Sequence, residues 1–478
     1  MVSFQSSSDP KYQLLENPRR RWVFVAHSWA VFGFVILSVS ITLISLIVIW
    51  DQIKQMQRKT ETLDFVLFGP KRDVSDFIRV SEHRALAYAL DKNMTRNYVD
   101  ESFIPNESFE TYQHVDKTYS LVCYYVIPSR SSLQDRLQPS DIDPKLCSHV
   151  IIFFASIEEC RINFTDARLV NAIAEMKLKN RNLKLLLSVV SVSSSEDTFA
   201  AMVSSAVNRQ KFVDSALQLL KKYSLDGIDL DWEFPAWPPR ENAYEKSQFI
   251  ELLEEMRAAF GNKYLISVAV AAPLTIINRA YDVAKMALYV DFVNIMCYDY
   301  HSFVWYFPFT GPNAPLFAGA NDRGYEKTLD TNYTVNFWIN SGMPKKKIMV
   351  GVPIYGHSWT LQDTTKHDFG APADGFGSIG EKGFISYRDV CKFLNTSGAV
   401  QQFNGDMRVP YAYLHREWFS YEDERSLFYK AEYVTEMGLG GVMVFSLNQD
   451  DFYGSACPSR ISFPLVNRLK TVLLDDRL

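Results

Sequence analysis

Short apolar runs alternate with amphipathic stretches through the last three quarters of the chain. The eight apolar runs are Leu121–Val126, Val150–Ala155, Leu183–Val189, Gly227–Glu233, Leu265–Val270, Phe292–Cys297, Ile348–Val352 and Gly441–Phe445. Apolar runs of this length that are separated by helical stretches predict parallel βα units. Eight such units predict an α/β fold in which the strands close into a (β/α)8 TIM barrel.

The interval between the seventh and eighth runs is longer than one loop and one helix require. It extends from Val352 to Gly441, whereas connections in α/β units are usually short. We therefore expect an inserted lobe at about residues 356–424. In barrels of this kind the chemistry lies at the carboxyl ends of the strands, so the ends of the eight runs are the places to search.

A different pattern occupies the N-terminal region. Residues 28–50 contain no charged side chain, and Trp29 and Trp50 lie near the two ends of this run. About 20 apolar residues suffice for a helix to cross a bilayer. A buried core helix or a cleaved signal peptide is the alternative, but the run exceeds the apolar stretch of a signal peptide. We predict a cytoplasmic tail at 1–27, a retained transmembrane anchor at 28–50 and a polar stem at 51–118.

The orientation of the predicted anchor is suggested by charges and by glycosylation triplets. Basic residues occur on both sides of the span, at Arg19, Arg20 and Arg21 before it and at Lys54, Arg58 and Lys59 after it. The triplets Asn-x-Ser/Thr begin at Asn93, Asn106, Asn163, Asn332 and Asn395, all after the span. These features predict a single-pass type II membrane glycoprotein whose C-terminal domain is extracellular or lumenal.

Composition narrows the class of protein. Apolar residues make up 47% and aromatic residues 14% of the 478 positions, which excludes a chain disordered throughout. The formal net charge of −5 argues against nucleic acid as a partner, since nucleic-acid-binding proteins carry a basic excess. Six cysteines are too few for a scaffold built from disulfides, so a hydrophobic core must hold the fold.

The fourth run carries three acids at alternating positions. Side chains alternate across a strand, so Asp229, Asp231 and Glu233 share one face, and the apolar residues between them share the other. We expect the acids to point into the barrel, with Glu233 at its catalytic end. Burial and like charge raise the pKa of at least one stacked acid, which stores a proton for general-acid catalysis. A site for Mg²⁺ or Ca²⁺ is the main alternative, and a purely structural role is another.

These acids and their surroundings resemble a known family. Asp226-x-x-Asp229-x-Asp231-x-Glu233 is similar to the DxxDxDxE signature of family 18 glycoside hydrolases, the chitinases and chitinase-like lectins. Three further segments resemble the sixth, seventh and eighth strands of that family: Met296-Cys-Tyr298-Asp299, Gly351–Gly356 and Gly440–Phe452. The resemblance implies a TIM barrel with a small α+β insertion, and it places the catalytic domain at 119–478.

The resemblance also implies a substrate-assisted retaining mechanism. Glu233 would protonate the glycosidic oxygen of β-1,4-linked N-acetylglucosamine polymers or oligomers, and the 2-acetamido oxygen of the substrate would attack the anomeric carbon. Asp231 would hold the acetamido N–H and share charge with Asp229, and Tyr298 would steady the acetamido oxygen. The implied partner is therefore chitin or its oligosaccharides, besides the membrane at 28–50, and neither a metal nor another cofactor is required.

Further residues follow from the same resemblance. The substrate-binding residues that it implies are Asp226, Tyr124, Phe154, Met296, Asp299, Tyr355 and Phe445. For Met296, ordinary core packing is the alternative. The implied disulfides join Cys123 to Cys147 and Cys391 to Cys457, while Cys297 is expected to be a buried thiol and Cys160 has no evident partner.

Several positions depart from the family pattern. Ser188–Val192 replaces Ser-x-Gly-Gly-Trp, Pro128 and Phe445 stand where tryptophans are usual, and His357 replaces an arginine. Sugar binding depends on flat aromatic faces, so fewer indoles predict weaker binding and reduced activity. The alternatives are a catalytically weak or inactive chitin-binding lectin that acts on extracellular matrix and, less favoured, an enzyme that cleaves N-glycan cores.

Overall fold

The computed structural model describes residues 119–127, 137–164, 167–190, 197–237 and 243–475. The strands are β1 (Ser120–Val126), β2 (His149–Glu158), β3 (Arg161–Asn163), β4 (Lys184–Val190), β5 (Gly227–Asp231), β6 (Leu265–Val270), β7 (Phe292–Ile295), β8 (Ile348–Pro353), β9 (Tyr355–Leu361), β10 (Ala373–Phe376), β11 (Phe384–Ser386), β12 (Val400–Asn404), β13 (Val409–Leu414), β14 (Glu417–Ser420) and β15 (Gly441–Phe445). The α-helices are α1 (Ala167–Ala174), α2 (Met176–Lys179), α3 (Thr198–Val203), α4 (Ala206–Tyr223), α5 (Glu245–Phe260), α6 (Leu274–Ala280), α7 (Val283–Tyr289), α8 (Thr331–Asn340), α9 (Tyr387–Leu394), α10 (Glu424–Met437) and α11 (Pro464–Lys470).

Eight parallel strands close into a barrel. Their order around the barrel is β1-β15-β8-β7-β6-β5-β4-β2, and β2 pairs with β1 to complete the circle. The predicted α/β barrel is therefore confirmed. Two predicted strands are shorter than their apolar runs, because β5 ends at Asp231 and β7 ends at Ile295. The residues that follow these strands, including Glu233, lie in the loops at the mouth of the barrel.

Alternation along the strands separates two apolar layers. Inside the barrel, Val122, Ile151, Leu186, Met349 and Met443 pack against one another. The residues between them on the same strands face outward, where they form a larger core with the surrounding helices. Both layers are needed because every strand of a closed parallel barrel is buried on both faces.

A second sheet follows β8. Its five-strand path is β10-β9-β14-β13-β12, β11 pairs with β9, and the pairings are antiparallel. Trp359 and Trp418 are fully buried within it, with ring centroids 5.1 Å apart. These six strands and α9 lie between β8 and β15 in the chain, and the boundaries of 356–424 for an insertion stay a prediction.

Two disulfides connect distant segments. Cys123 on β1 is joined to Cys147 just before β2, and Cys391 on α9 is joined to Cys457 near the C-terminus. These are the pairs that the resemblance implied. Cys297 is a buried thiol, as expected, and Cys160 is a half-buried thiol in the turn between β2 and β3.

The predicted localisation needs correction. No helix of the described residues is long and apolar enough to cross a bilayer, so the assignment as a single-pass type II membrane protein is contradicted. The longest described helix, α4, spans 18 residues and carries charged side chains such as Arg209 and Lys211. The apolar run at 28–50, the tail at 1–27 and the stem at 51–118 lie outside the described residues.

Candidate active site

A cavity of about 440 Å³ opens at the carboxyl ends of the barrel strands. Most of the residues that the sequence assigned to a site line this cavity: Tyr124, Asp231, Glu233, Met296, Tyr298, Asp299, Tyr355 and Phe445. They come from five strands and the loops that follow them, so closure of the barrel is what assembles them. This position agrees with the usual place of chemistry in TIM barrels.

Asp229 occupies the deepest position of the acid series. Its Oδ2 accepts hydrogen bonds from Tyr124 Oη at 2.8 Å and Ser188 Oγ at 2.9 Å, and its Oδ1 accepts from Ser267 Oγ at 2.6 Å and Asn294 Nδ2 at 3.3 Å. Burial raises the pKa of the Asp229 carboxyl, and these hydrogen bonds oppose the rise. The four donors fill both oxygens with hydrogen bonds and hold the carboxyl in place.

Asp231 lies one step nearer to the cavity. Its Oδ1 is buried and has no hydrogen-bond partner among the described residues. Burial raises the pKa of Asp231 well above its usual value, and the charges of Glu233 and Asp229 raise it further. A neutral Asp231 is therefore favoured, and its unpartnered oxygen is available to a polar group entering the cavity.

Glu233 ends the series at the mouth of the cavity, two residues beyond the end of β5. The residue is exposed, yet the cavity walls bury its carboxyl enough to raise its pKa, and the charge of Asp299 raises it further. A raised pKa allows a glutamate to hold a proton at a pH where most carboxyls have lost theirs. Glu233 combines this property with access to a ligand, which is what a general acid requires.

Aromatic side chains form the inner wall of the cavity around Phe445. The ring of Phe445 lies 5.5 Å from that of Tyr124, 5.4 Å from that of Phe153 and 6.2 Å from that of Tyr298. Gly351 on β8 lies against Tyr298, and a Cβ at that glycine would collide with the carbonyl of Ile295 and crowd the Tyr298 ring. The small residue at 351 thus leaves room for Tyr298 at the cavity wall.

Asp299 lies beside Glu233 and is held through its backbone and its side chain. Its φ of +58° is in the left-handed region, and its N–H donates to Asn313 Oδ1 at 2.9 Å. The side-chain Oδ1 accepts a 2.6 Å hydrogen bond from Tyr355 Oη and lies 2.7 Å from His357 Nε2. The loop after β7 is thereby fixed to β9 of the second sheet.

Two predicted substrate-binding residues are not brought to the cavity. Asp226 precedes β5 at the opposite end of the barrel, where its Oδ2 lies 2.7 Å from Lys177 Nζ and accepts the Leu185 N–H at 2.8 Å. Phe154 packs against Phe153, and it is Phe153 that lines the cavity. The assignment of Asp226 and Phe154 to substrate binding is therefore corrected.

Sequence reasoning missed several residues of the site. Phe153, Phe384 and Gln449 line the cavity, and Ser188, Ser267 and Asn294 hold Asp229. Period-two alternation from Ile151, which faces the barrel interior, would have identified Phe153 in place of its neighbour. Phe384 belongs to β11 in the second sheet, and nothing in its local sequence indicates contact with the barrel mouth.

The alternative of a divalent-metal site finds no support in the donor geometry. Among the described residues, no three His, Cys, Asp or Glu side chains form a group arranged to hold a metal ion. Both oxygens of Asp229 are engaged by hydroxyl and amide donors, which leaves this carboxylate poorly placed to coordinate a cation. The arrangement suits proton transfer and hydrogen bonding instead.

Comparison with known proteins assigns the family. The family model described as Glycosyl hydrolases family 18 matches residues 120–450. Human chitinase-3-like protein 2 is 35% identical over 372 residues, which covers 74% of this chain and 93% of that protein. Mouse chitotriosidase-1 is 34% identical over 369 residues, which covers 74% of this chain and 78% of that protein.

The fold comparison agrees. The structure of human YKL-39, which is described as a pseudo-chitinase with retained chitooligosaccharide binding properties, superimposes with a TM-score of 0.69 at 35% identity. The match covers 74% of this chain and 100% of that chain.

Proposed function

The chain belongs to the glycosyl hydrolases of family 18 and is a chitinase-like protein, and from this premise we propose that it cleaves β-1,4-linked N-acetylglucosamine oligomers at a reduced rate. Glu233 donates its proton to the glycosidic oxygen, and the bond from that oxygen to the anomeric carbon breaks. The 2-acetamido carbonyl oxygen of the substrate attacks the same carbon, which gives an oxazolinium ion. The leaving sugar departs with the proton of Glu233.

The second half of the reaction returns the proton. The Glu233 carboxylate takes a proton from water, and the resulting hydroxide opens the oxazolinium ion from the face that the first sugar left. Two inversions at the anomeric carbon give net retention. Neither half needs a metal or another cofactor.

Asp231 and Tyr298 orient the acetamido group in this proposal. Asp231 accepts the acetamido N–H through the buried oxygen that has no hydrogen-bond partner among the described residues. Asp229, whose carboxyl accepts four hydrogen bonds, holds Asp231 in position and shares the proton of Asp231. Tyr298 lines the cavity beside them and donates to the acetamido oxygen. The series from Asp229 to Glu233, with its unpartnered Asp231 oxygen, is the observation that carries the proposal.

We propose reduced activity because the inner wall of the cavity carries a smaller aromatic ring than is usual in the family. Phe445 presents a phenyl ring where a tryptophan is usual in the family, so less flat area lies under a reacting sugar. Less binding energy is then available to distort the substrate toward the transition state. Pro128 and residues 191–192, where the sequence also departs from the family pattern, lie outside the described residues.

A second candidate function is a chitin-binding lectin that acts on extracellular matrix. It is favoured by the 35% identity to human YKL-39, whose description is that of a pseudo-chitinase with retained chitooligosaccharide binding properties. The complete acid series favours hydrolysis, whereas the smaller aromatic ring at Phe445 favours the lectin. Both candidates share the same ligand class, so catalysis must be measured apart from binding.

Turnover of a fluorogenic chitotrioside by the full chain separates the two. We expect release of the fluorophore from about pH 4 to about pH 8, and loss of this release in Glu233→Gln. Glu254→Gln, which changes an exposed glutamate of α5, serves as the matched control. Binding of chitotetraose by calorimetry accompanied by no Glu233-dependent release would reject the hydrolase and leave the lectin.

We further propose the region 119–478 as the catalytic unit, with an α+β insertion at about 356–424. We also propose N-glycosylation at Asn395, because this sequon residue is exposed at the end of α9. Treatment with an amidase that removes N-glycans should increase the gel mobility of the chain, and Asn395→Gln should abolish the part of that change due to this site.

A further inference from the structure

Glu233 lies between a strand and a helix, so contacts of the neighbouring residues must fix its position. β5 ends at Asp231, and α5 begins only at Glu245. The position of the Glu233 carboxyl therefore depends on what holds the chain immediately before it and after it. A general acid must be held closely, because a displacement of about 1 Å is able to cost about 100-fold in rate.

The chain before Glu233 is fixed at Trp232. This indole is 1% exposed and lies between two phenyl rings. It stacks on Phe199 of α3 with ring centroids 5.4 Å apart, and it meets Phe249 of α5 edge-on with ring centroids 5.7 Å apart. Its Nε1 also donates to Asp197 Oδ2 at 3.1 Å. The residue that precedes the acid is thus held by packing and by a hydrogen bond.

The chain after Glu233 is fixed at Ala236 through both polar groups of its backbone. The Ala236 N–H donates to Glu245 Oε2 at 2.6 Å, and the Ala236 carbonyl accepts from Arg279 Nε of α6 at 2.7 Å. A turn connects this point to the acid, because the Trp237 N–H donates to the carbonyl of Phe234 at 3.1 Å. Two charged side chains thus hold one buried alanine of the loop.

Ala236 depends on these contacts because of its backbone conformation. Its φ is +55°, in the left-handed region where a Cβ lies too close to the following carbonyl oxygen. A residue with a Cβ keeps this conformation only where its surroundings impose it. Ala236 and Glu245 are 2% and 3% exposed, so water does not readily replace the hydrogen bond between them. Glu245 therefore stabilises a conformation that Ala236 would otherwise leave.

One face of α5 contacts the chain on both sides of the acid. Glu245 and Phe249 are four residues apart on this helix, so their side chains lie on the same face. Phe249 packs against Trp232 before the acid, and Glu245 accepts from Ala236 after it. The helix that follows β5 thus supports the loop at two points.

We propose that Glu245 is a positioning residue, which together with Arg279 holds Ala236 in the left-handed conformation and thereby keeps the Glu233 carboxyl at the cavity. The inference rests on the proposed role of Glu233 as general acid. It extends the site to a buried carboxyl on α5 that does not itself line the cavity. Because Glu245 acts through the backbone of the loop, its loss should impair proton transfer more than sugar binding.

Removal of the acceptor at position 245 tests the proposal in the full chain. Glu245→Met keeps the length of the side chain without a strong acceptor, whereas Glu245→Gln keeps an acceptor oxygen. We expect kcat for a fluorogenic chitotrioside to fall by about 10-fold or more in E245M, while the Kd of chitotetraose changes by about two-fold at most. E245Q should restore most of kcat. Glu251→Met is the matched control, because it removes an exposed carboxyl of α5 that contacts Arg209, and it should keep the wild-type kcat.

Ala236→Gly tests whether Glu245 acts through the backbone conformation. Glycine populates the left-handed region about as readily as the right-handed one, so it needs less help from Glu245 to stay there. In the Ala236→Gly background we expect E245M to lower kcat by about three-fold only. Equal losses in the two backgrounds would overturn the proposal.

Infrared difference titration of Glu233 gives a readout that requires no turnover. The protonated carboxyl is assigned by its loss in Glu233→Gln. Burial is the main cause of the raised pKa of this carboxyl, so release of the loop in E245M should expose it and lower its titration by about half a pH unit or more. The acids that interact with it, Asp231 and Asp299, are the same in the variant. An unchanged titration in E245M would count against the proposal.

Arg279→Met replaces E245M should that variant not fold, as judged by circular dichroism. Arg279 is exposed, and its substitution removes the hydrogen bond to the Ala236 carbonyl without a change in the core. Glu233 must then titrate below its wild-type value, and an unchanged value rejects the proposal.

Failure of the hydrolase function and failure of this role give different results. A lowered titration of Glu233 in E245M, in a protein without Glu233-dependent turnover, would reject the hydrolase and support the role of Glu245. Glu233-dependent turnover with the same kcat in E245M and in the wild type would support the hydrolase and reject the role of Glu245.

Discussion

Tyr124 Oη donates a 2.8 Å hydrogen bond to Asp229 Oδ2 across the interior of the barrel. The two residues are 105 positions apart in the chain, and both are completely buried. Burial raises the pKa of the tyrosine well above its usual value, and the nearby charge of Asp229 raises it further, so the phenol keeps its proton and remains a donor. This contact anchors the deep end of the acid series to the first strand.

Removal of that donor should destabilise the fold more than removal of a comparable phenol outside the barrel. Tyr124→Phe takes a hydrogen bond from a buried carboxylate and should cost about 1.5–3 kcal/mol in the free energy of unfolding. Tyr125→Phe is the matched control, because the Tyr125 phenol on the same strand donates to the neutral carbonyl of Leu137, and its loss should cost about 0.5–1.5 kcal/mol. Denaturant unfolding measures both, and a smaller loss in Y124F than in Y125F would contradict the expectation.

Asp231→Asn should impair catalysis more than binding. The amide is similar in shape to a protonated carboxyl, but it cannot share a proton with Asp229. It also has no negative charge with which to stabilise the positive charge that develops at the acetamido N–H. We expect kcat for a chitotrioside to fall by about 100-fold or more, while the Kd of chitotetraose changes by only a few-fold. Asp214→Asn on the exposed face of α4 is the control. Equal loss of kcat and of affinity would show that Asp231 acts chiefly in ground-state binding.

Phe445→Trp should strengthen sugar binding. The larger ring restores flat area at the inner wall of the cavity and should lower the Kd of chitotetraose by about 3–10-fold, which corresponds to about 1 kcal/mol. Phe376→Trp is the control, because Phe376 is an exposed phenyl ring of the second sheet that does not line the cavity. Unchanged or weaker binding in F445W would mean that Phe445 packs the wall and does not contact the sugar.

Asp450 should make stability depend on pH. Its carboxyl is fully buried after β15, and burial raises its pKa to about 7. The folded state holds the proton of Asp450 more tightly than the unfolded state does. The contribution of this carboxyl to the free energy of unfolding is therefore greatest below about pH 4 and falls as the pH rises to about 7. The contribution that is lost is roughly 4 kcal/mol at most.

Urea unfolding at about pH 5 and about pH 8 measures this dependence. From about pH 5 to about pH 8, the free energy of unfolding should fall less in Asp450→Asn than in the wild type. Asp406→Asn, which changes an exposed acid on the turn between β12 and β13, should keep the wild-type difference. Identical differences in D450N and the wild type would refute the assignment to Asp450.

Much of the architecture was predictable from the sequence because it depends on local patterns. Eight apolar runs separated by helical stretches indicated the barrel, and the length between the seventh and eighth runs indicated additional structure there. Alternation along the fourth run placed Asp229 and Asp231 inside the barrel, because a strand buried on both faces leaves no third direction for a side chain. The family signature then identified Glu233 at the cavity.

Local patterns failed where the chain leaves regular structure. Phe153 and not Phe154 faces the cavity, and the register of β2 against β4 is irregular between Ile152 and Ala155. Asp226 belongs to the signature, but it lies at the opposite end of the strand from the cavity and binds Lys177. A motif records which residues are adjacent in sequence, whereas the end of the barrel that each one reaches depends on where the strand begins and stops.

The sequence by itself determined the number of barrel strands and the inward orientation of the acids on the fourth of them, because both follow from periodicity within single segments. Tertiary structure alone decided the contacts that tune those acids. Tyr124 meets Asp229 only when the first and fourth strands close one barrel, and His357 meets Asp299 only when the second sheet packs at its mouth. The pKa of a buried carboxyl depends on charges and donors within a few ångströms, and these neighbours come from segments far apart in the chain.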